Sequence, residues 1–174
     1  MAFDLGNILQ QYLGGGAAHQ ANTLDDFDQV AQSAPRSTVA QGVTEALRSE
    51  QTPPFPKMVS ELFGHSDATQ RAGMLNQLLG SVGPGLLASV AGGAFGNLFG
   101  GQANHAATPT ITEEQAATMT PQQVEQIAAQ AEQHNPGVVD RMGDFYAEHP
   151  TLVKTIGGAA LAIVLGRVAQ GMQR

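Results

Sequence analysis

The 174-residue chain contains no cysteine, and charged side chains make up only 13% of it. The absence of cysteine excludes disulfides, thiolate nucleophiles, cysteine-ligated zinc and iron–sulfur clusters. Only eight residues are lysine or arginine, against fifteen acids, and the formal net charge is −7. Because binding to phosphates requires clustered basic side chains, this composition argues against a nucleic-acid partner.

The chain also lacks the basic N-terminal region with which a secretory signal begins. Its first six residues carry one charged side chain, the acid Asp4. We therefore expect a cytoplasmic location.

Glycine and alanine are abundant, with 21 and 26 residues, whereas leucine, isoleucine, valine and phenylalanine together number only 39. A chain of this length is expected to form one domain, or one domain with a tail. Its core must then be built largely from small side chains in close contact.

Apolar residues recur at helical spacing throughout, and no segment alternates with the period of a strand. The first half predicts five short helices, which begin near Asp4, Thr23, Val39, Thr52 and Ser66, with Ser66 as the N-cap of the fifth. The fold class is therefore all-α, a bundle of short helices around an apolar middle rich in glycine and alanine.

Helix starts in the second half are marked by capping boxes at Thr112 and Thr120, and by proline at positions 136 and 150. They predict helices over 112–119, 121–133, 136–148 and 150–172, the last one long and apolar. We expect an N-terminal unit over 1–100, a flexible linker over 101–110 and a C-terminal unit over 111–174.

Two apolar segments carry small residues at four-residue spacing, an arrangement that lets helix backbones approach closely. The segment 80–101, with a helix over 84–99, is interpreted as a buried core helix or, together with the helix at 66–82, as a self-associating or membrane-inserting hairpin. The segment 151–172 is interpreted as the central helix of the C-terminal unit, a subunit-contact helix or a membrane-surface anchor. The leading hypothesis is a non-enzymatic structural protein that forms a homo-oligomer through Ala88, Gly92, Gly96, Gly158, Ala162 and Gly166.

The alternative is a peripheral membrane protein. Residues 150–174 contain Lys154, Arg167 and Arg174 but no acid. The uncharged stretch between Lys154 and Arg167 would be about 18 Å long as a helix, too short for a comfortable span. This segment would therefore lie on an anionic leaflet, such as that of the inner membrane.

No constellation of residues indicates chemistry. The five histidines are scattered, and His134 and His149 lie at predicted helix C-termini, where a positive charge is favourable. The glycine-rich strings contain no Walker lysine. We therefore expect no enzymatic activity, no cofactor, no metal and no small-molecule substrate.

Several short stretches are similar to those of bacterial YidB-like proteins. They are residues 5–9 running into the glycines 14–16, residues 78–80 followed by Pro84 and Leu86, and the helix starts at 112–115 and 120–123. The block 145–154 departs from that family. The resemblance implies an all-α fold and no assigned activity.

Overall fold

The computed structural model describes residues 5–13, 23–82 and 110–173. Within these ranges every regular element is a helix and no strand occurs, which confirms the all-α prediction. The helices are α1 (Leu5–Leu13), α2 (Thr23–Ser33), α3 (Arg36–Arg48), α4 (Phe55–His65), α5 (Ala68–Ser81), α6 (Glu113–Ala117), α7 (Pro121–His134), α8 (Val138–Glu148), α9 (Pro150–Val153), a 3-10 turn (Lys154–Ile156) and α10 (Gly158–Met172).

Both predicted capping boxes are present. The Thr112 hydroxyl accepts the amide N–H of Gln115, whose side chain accepts the amide N–H of Thr112, and Thr120 and Gln123 are paired in the same way. This reciprocal arrangement satisfies two helix amides that have no partner inside the helix. The sequence therefore located the starts of α6 and α7 correctly.

Two other predicted starts, at Thr52 and Ser66, are wrong. The Thr52 hydroxyl donates to Ala46 O at 2.6 Å and the Ser66 hydroxyl to Leu62 O at 2.7 Å, so each bonds back to the helix before it. Helix α4 begins only at Phe55, and the N-cap of α5 is Asp67, whose carboxylate accepts the amide N–H three residues later. A serine or threonine hydroxyl can bond to the backbone at the start of a helix or at the end of the one before it. The residue type alone therefore does not tell which of the two helix ends it marks.

The predicted long helix over 150–172 is not found. The chain forms α9 and a 3-10 turn, and α10 begins only after Gly157. Gly157 has φ +96° and ψ 158°, a conformation that is essentially confined to glycine. The apolar pattern runs through the break, but this backbone turn divides the segment.

Contacts among the helices group the chain into two compact units, unit 1 (Met1–Pro54 and Val139–Arg174) and unit 2 (Phe55–Val138). The sequence instead suggested a division at 101–110. That linker lies almost wholly outside the residues described, so it stays a prediction.

In unit 1, α10 packs against α1, α2 and α3. The face of α10 that meets them is apolar and buried. The most deeply buried side chains of this unit include Phe27, Val30, Val43, Met142, Tyr146, Leu161, Val164, Leu165 and Val168.

In unit 2, α4 packs on α7, and α5 packs on both α6 and α7. The Asn76 side chain pairs with both polar backbone groups of Ile111: its Oδ1 accepts the N–H at 2.7 Å and its Nδ2 donates to the carbonyl at 3.2 Å. The core is formed by Met58, Val59, Leu62, Phe63, Met74, Leu75, Leu78, Leu79, Val124, Ile127, Ala128 and Ala131.

Candidate functional site

The predicted self-association residues of the C-terminal segment lie on α10, beside its buried face. Gly158 is exposed, and Ala162 and Gly166 are partly exposed. A Cβ added at Gly158 would meet no heavy atom within 4 Å, and one at Gly166 would lie 3.7 Å from Tyr12 O, an ordinary contact. Within the chain this stripe of small residues therefore touches a neighbour at Gly166 and is open at Gly158.

The other half of the predicted surface, Ala88, Gly92 and Gly96, lies outside the described residues. Its role in self-association stays a prediction.

Three other glycines of unit 1 lie at close helix contacts that the small-residue pattern did not indicate. A Cβ at Gly42 of α3 would lie 2.9 Å from Val164 O on α10, and one at Gly171 would lie 2.8 Å from the Thr38 methyl group. A Cβ at Gly143 of α8 would collide with the Thr44 hydroxyl on α3. The signal that the sequence offered is that each of these glycines lies inside a predicted helix.

Of the three predicted membrane-facing cations, Lys154 is already in an ion pair. Its Nζ lies 2.5 Å from Asp28 Oδ2, and the lysine side chain is 29% exposed. Arg167 is exposed, and its Nη1 donates to Gln170 Oε1 at 3.3 Å. Arg174 lies beyond the last described residue.

The apolar face of α10 is covered by α1, α2 and α3. Among the described helices, none has both the length and the apolar character needed to cross a bilayer. The exposed large apolar side chains in this part of the protein are Leu13, Leu24 and Met172, all in unit 1.

Both histidines predicted at helix C-termini are found there. His134 Nδ1 lies 2.9 Å from Gln130 O, and His149 Nδ1 lies 2.9 Å from Phe145 O. The described residues contain no group of three histidine or carboxylate side chains placed to hold a metal ion. These histidines therefore have a structural explanation as helix-end partners.

Burial raises the pKa values of two tyrosines. Desolvation raises the pKa of the fully buried Tyr146 phenol. Burial also raises the pKa of Tyr12, whose hydroxyl donates to Asp26 Oδ2 at 2.8 Å. Both shifts make ionisation of the phenol less favourable.

No family model, curated protein or solved structure matches the chain. The resemblance to YidB-like proteins accordingly stays a prediction.

Proposed function

We propose that the chain is a non-enzymatic structural protein that self-associates through one surface of α10. This surface, the α10 stripe, consists of Gly158, Ala162 and Gly166. The observation that carries the proposal is that the stripe is uncharged and open at Gly158, while the neighbouring face of α10 is buried.

Small residues at this spacing let a second helix approach closely, so many backbone and side-chain atoms come into contact. No charged residue occurs between Lys154 and Arg167, so a partner helix would not have to bury a charge along the stripe. A second copy of the same chain offers a matching surface, and a two-fold contact brings like patches together. The predicted stripe formed by Ala88, Gly92 and Gly96 would extend a pair into a larger assembly.

Peripheral attachment to an anionic membrane through Lys154, Arg167 and Arg174 is the weaker proposal. The ion pair between Lys154 and Asp28 uses one of the cations, and the apolar face of α10 is covered by neighbouring helices. Both proposals place the chain in the cytoplasm, the second at the inner membrane.

Sedimentation velocity of the full chain over a range of concentrations tests the first proposal. We expect a mass that rises with concentration, and we expect Gly158→Leu to weaken association at least about tenfold, or about 1.4 kcal/mol. Gly158 is a suitable position because a side chain there meets nothing within its own chain.

The matched control is Gly64→Leu on α4, another exposed glycine with no heavy atom within 4 Å of an added Cβ. It should leave the association unchanged. A chain that stays monomeric at high micromolar concentration, or equal effects of the two variants, would contradict the proposal.

A further inference from the structure

A polar cleft of about 310 Å³ opens within unit 1 along α3, between α8 and α10. Its volume falls at the lower end of the range for small-molecule sites, roughly 300–1,000 Å³. The lining includes Glu45 and Arg48 from α3, Asp140 and Asp144 from α8, and Arg167 from α10. Opposite charges therefore reach one cleft from three helices.

The walls of the cleft are held in place by two close helix contacts. Gly143 brings α8 against Ala40 and Thr44 of α3, and Gly42 brings α3 against Val164 of α10. Cores packed at this distance have little freedom to shift. The cleft is thus a fixed feature of the helix packing, although the charged side chains in it are exposed.

The charges in the cleft are only partly matched with one another. Arg48 Nη2 lies 3.0 Å from Asp140 Oδ2. Within the described ranges no ion pair joins Asp144 or Glu45 to Arg167, and the Arg167 guanidinium donates to Gln170 on its own helix. Once the Arg48–Asp140 pair is set aside, two carboxylates and one guanidinium remain for a ligand.

We propose that this cleft binds a basic α-amino acid in free form. The two cationic groups of such a molecule complement Asp144 and Glu45, and its carboxylate complements Arg167, whose planar guanidinium suits bidentate binding. An apolar ligand would remove these charges from water without pairing them, which is unfavourable. The sequence pattern does not reveal this site, because its residues come from three separated segments.

Titration of the full chain with L-lysine and L-arginine, followed by calorimetry and by amide chemical shifts, tests the proposal. We expect saturable binding below about 10 mM, with shifts at the cleft. L-Norleucine, which lacks the side-chain cation, and cadaverine, which lacks the carboxylate, should each bind at least about tenfold more weakly.

Variants assign the two ends of the ligand. Arg167→Gln should weaken L-lysine binding at least about tenfold and leave the weak binding of cadaverine unchanged, whereas Asp144→Asn should weaken both. Controls on α4, Lys57→Gln and Glu61→Gln, should bind as the parent chain does. All four positions are exposed, so the variants should fold.

Absence of saturable binding up to about 10 mM would overturn the proposal. Equal weakening of lysine and cadaverine by Arg167→Gln would overturn it as well, because the arginine would then not select the carboxylate. Neither outcome depends on whether the chain self-associates.

Discussion

Units 1 and 2 are both built from short helices, but they differ in which side chains they expose. In the described part of unit 2 every large apolar side chain is buried or partly buried, and helix ends are closed by side chains such as Arg71, which donates to Phe63 O at 3.0 Å. Unit 1 leaves Leu13, Leu24 and Met172 exposed, has the α10 stripe, which is open at Gly158, and contains the charged cleft. Among the described residues, the exposed large apolar side chains and the charged cleft therefore both lie in unit 1.

The two units also differ in how their helices are held together. Gly42, Gly143 and Gly171 of unit 1 lie at helix crossings at which an added Cβ would come within 3.0 Å of a neighbouring helix. In unit 2, side-chain hydrogen bonds fix the backbone between helices, as with Asn76 and Ile111. Stability should therefore respond to different kinds of substitution in the two units.

The largest expected effect is that of Gly143→Ala. The added methyl group would overlap the Thr44 hydroxyl and lie 3.0 Å from Ala40 O, and overpacking of this kind costs about 3 kcal/mol. Urea unfolding should show this loss. Adding Thr44→Ala should restore part of it, because the hydroxyl is the nearest obstacle.

The control for that prediction is Gly64→Ala in unit 2, where an added Cβ meets nothing within 4 Å. Because alanine favours a helix more than glycine does, this variant should be neutral or more stable by up to about 1 kcal/mol. A similar response of both variants would contradict the contrast drawn between the units.

The next effect in size concerns unit 2. Asn76→Ala should destabilise it by about 2 kcal/mol, since the change leaves the amide and carbonyl of Ile111 without their partner. Gln77→Ala is the control, because Gln77 is exposed on the same helix. Hydrogen exchange at the Ile111 amide, faster in Asn76→Ala only, would connect the loss to this contact.

How far the sequence predicted these features depends on how local they are. The capping boxes at Thr112 and Thr120 each involve residues three apart, and the sequence located them correctly. The break at Gly157 was missed because the apolar pattern is continuous through it, and a positive φ leaves no trace in that pattern.

The helix contacts and ion pairs that form unit 1 join residues far apart in the sequence. The Gly143 contact joins helices almost a hundred residues apart in sequence, and Arg48 and Asp140 are separated by 92 residues. The small residues that the sequence pattern indicated, such as Gly158, are not the glycines at these crossings. The glycines at the observed crossings could be identified only once it was known which helices meet.

A smaller effect is expected from the ion pair that ties the 3-10 turn to α2. Its lysine and aspartate side chains are 29% and 38% exposed, so solvent screens the pair, and Lys154→Ala should cost about 1 kcal/mol or less. Added salt should reduce the difference from the parent chain. A loss that salt leaves unchanged would indicate that the packing of the lysine stem, rather than its charge, is responsible.

The same ion pair makes the membrane alternative testable. Lys154→Glu with Arg167→Glu reverses two of the three cations of the C-terminal segment, so it should abolish flotation with anionic vesicles if the charges attach the chain. Our preferred proposal predicts no flotation of the parent chain at low salt. Flotation of the parent that the double variant loses would favour the membrane and weaken the case for the α10 stripe.

The smallest effect is expected at the end of the cleft. Arg48 and Asp140 are 49% and 57% exposed, and exposed pairs contribute about 0–1 kcal/mol. A double-mutant cycle of Arg48→Gln and Asp140→Asn should give a coupling below about 0.5 kcal/mol, with little change in unfolding.

If the cleft is a ligand site, the same variants should alter lysine binding more than they alter stability, because the pair sets the charge left over for the ligand. A coupling well above that value would show instead that the pair is part of the structural framework of unit 1, and would weaken the contrast drawn between the surfaces of the two units.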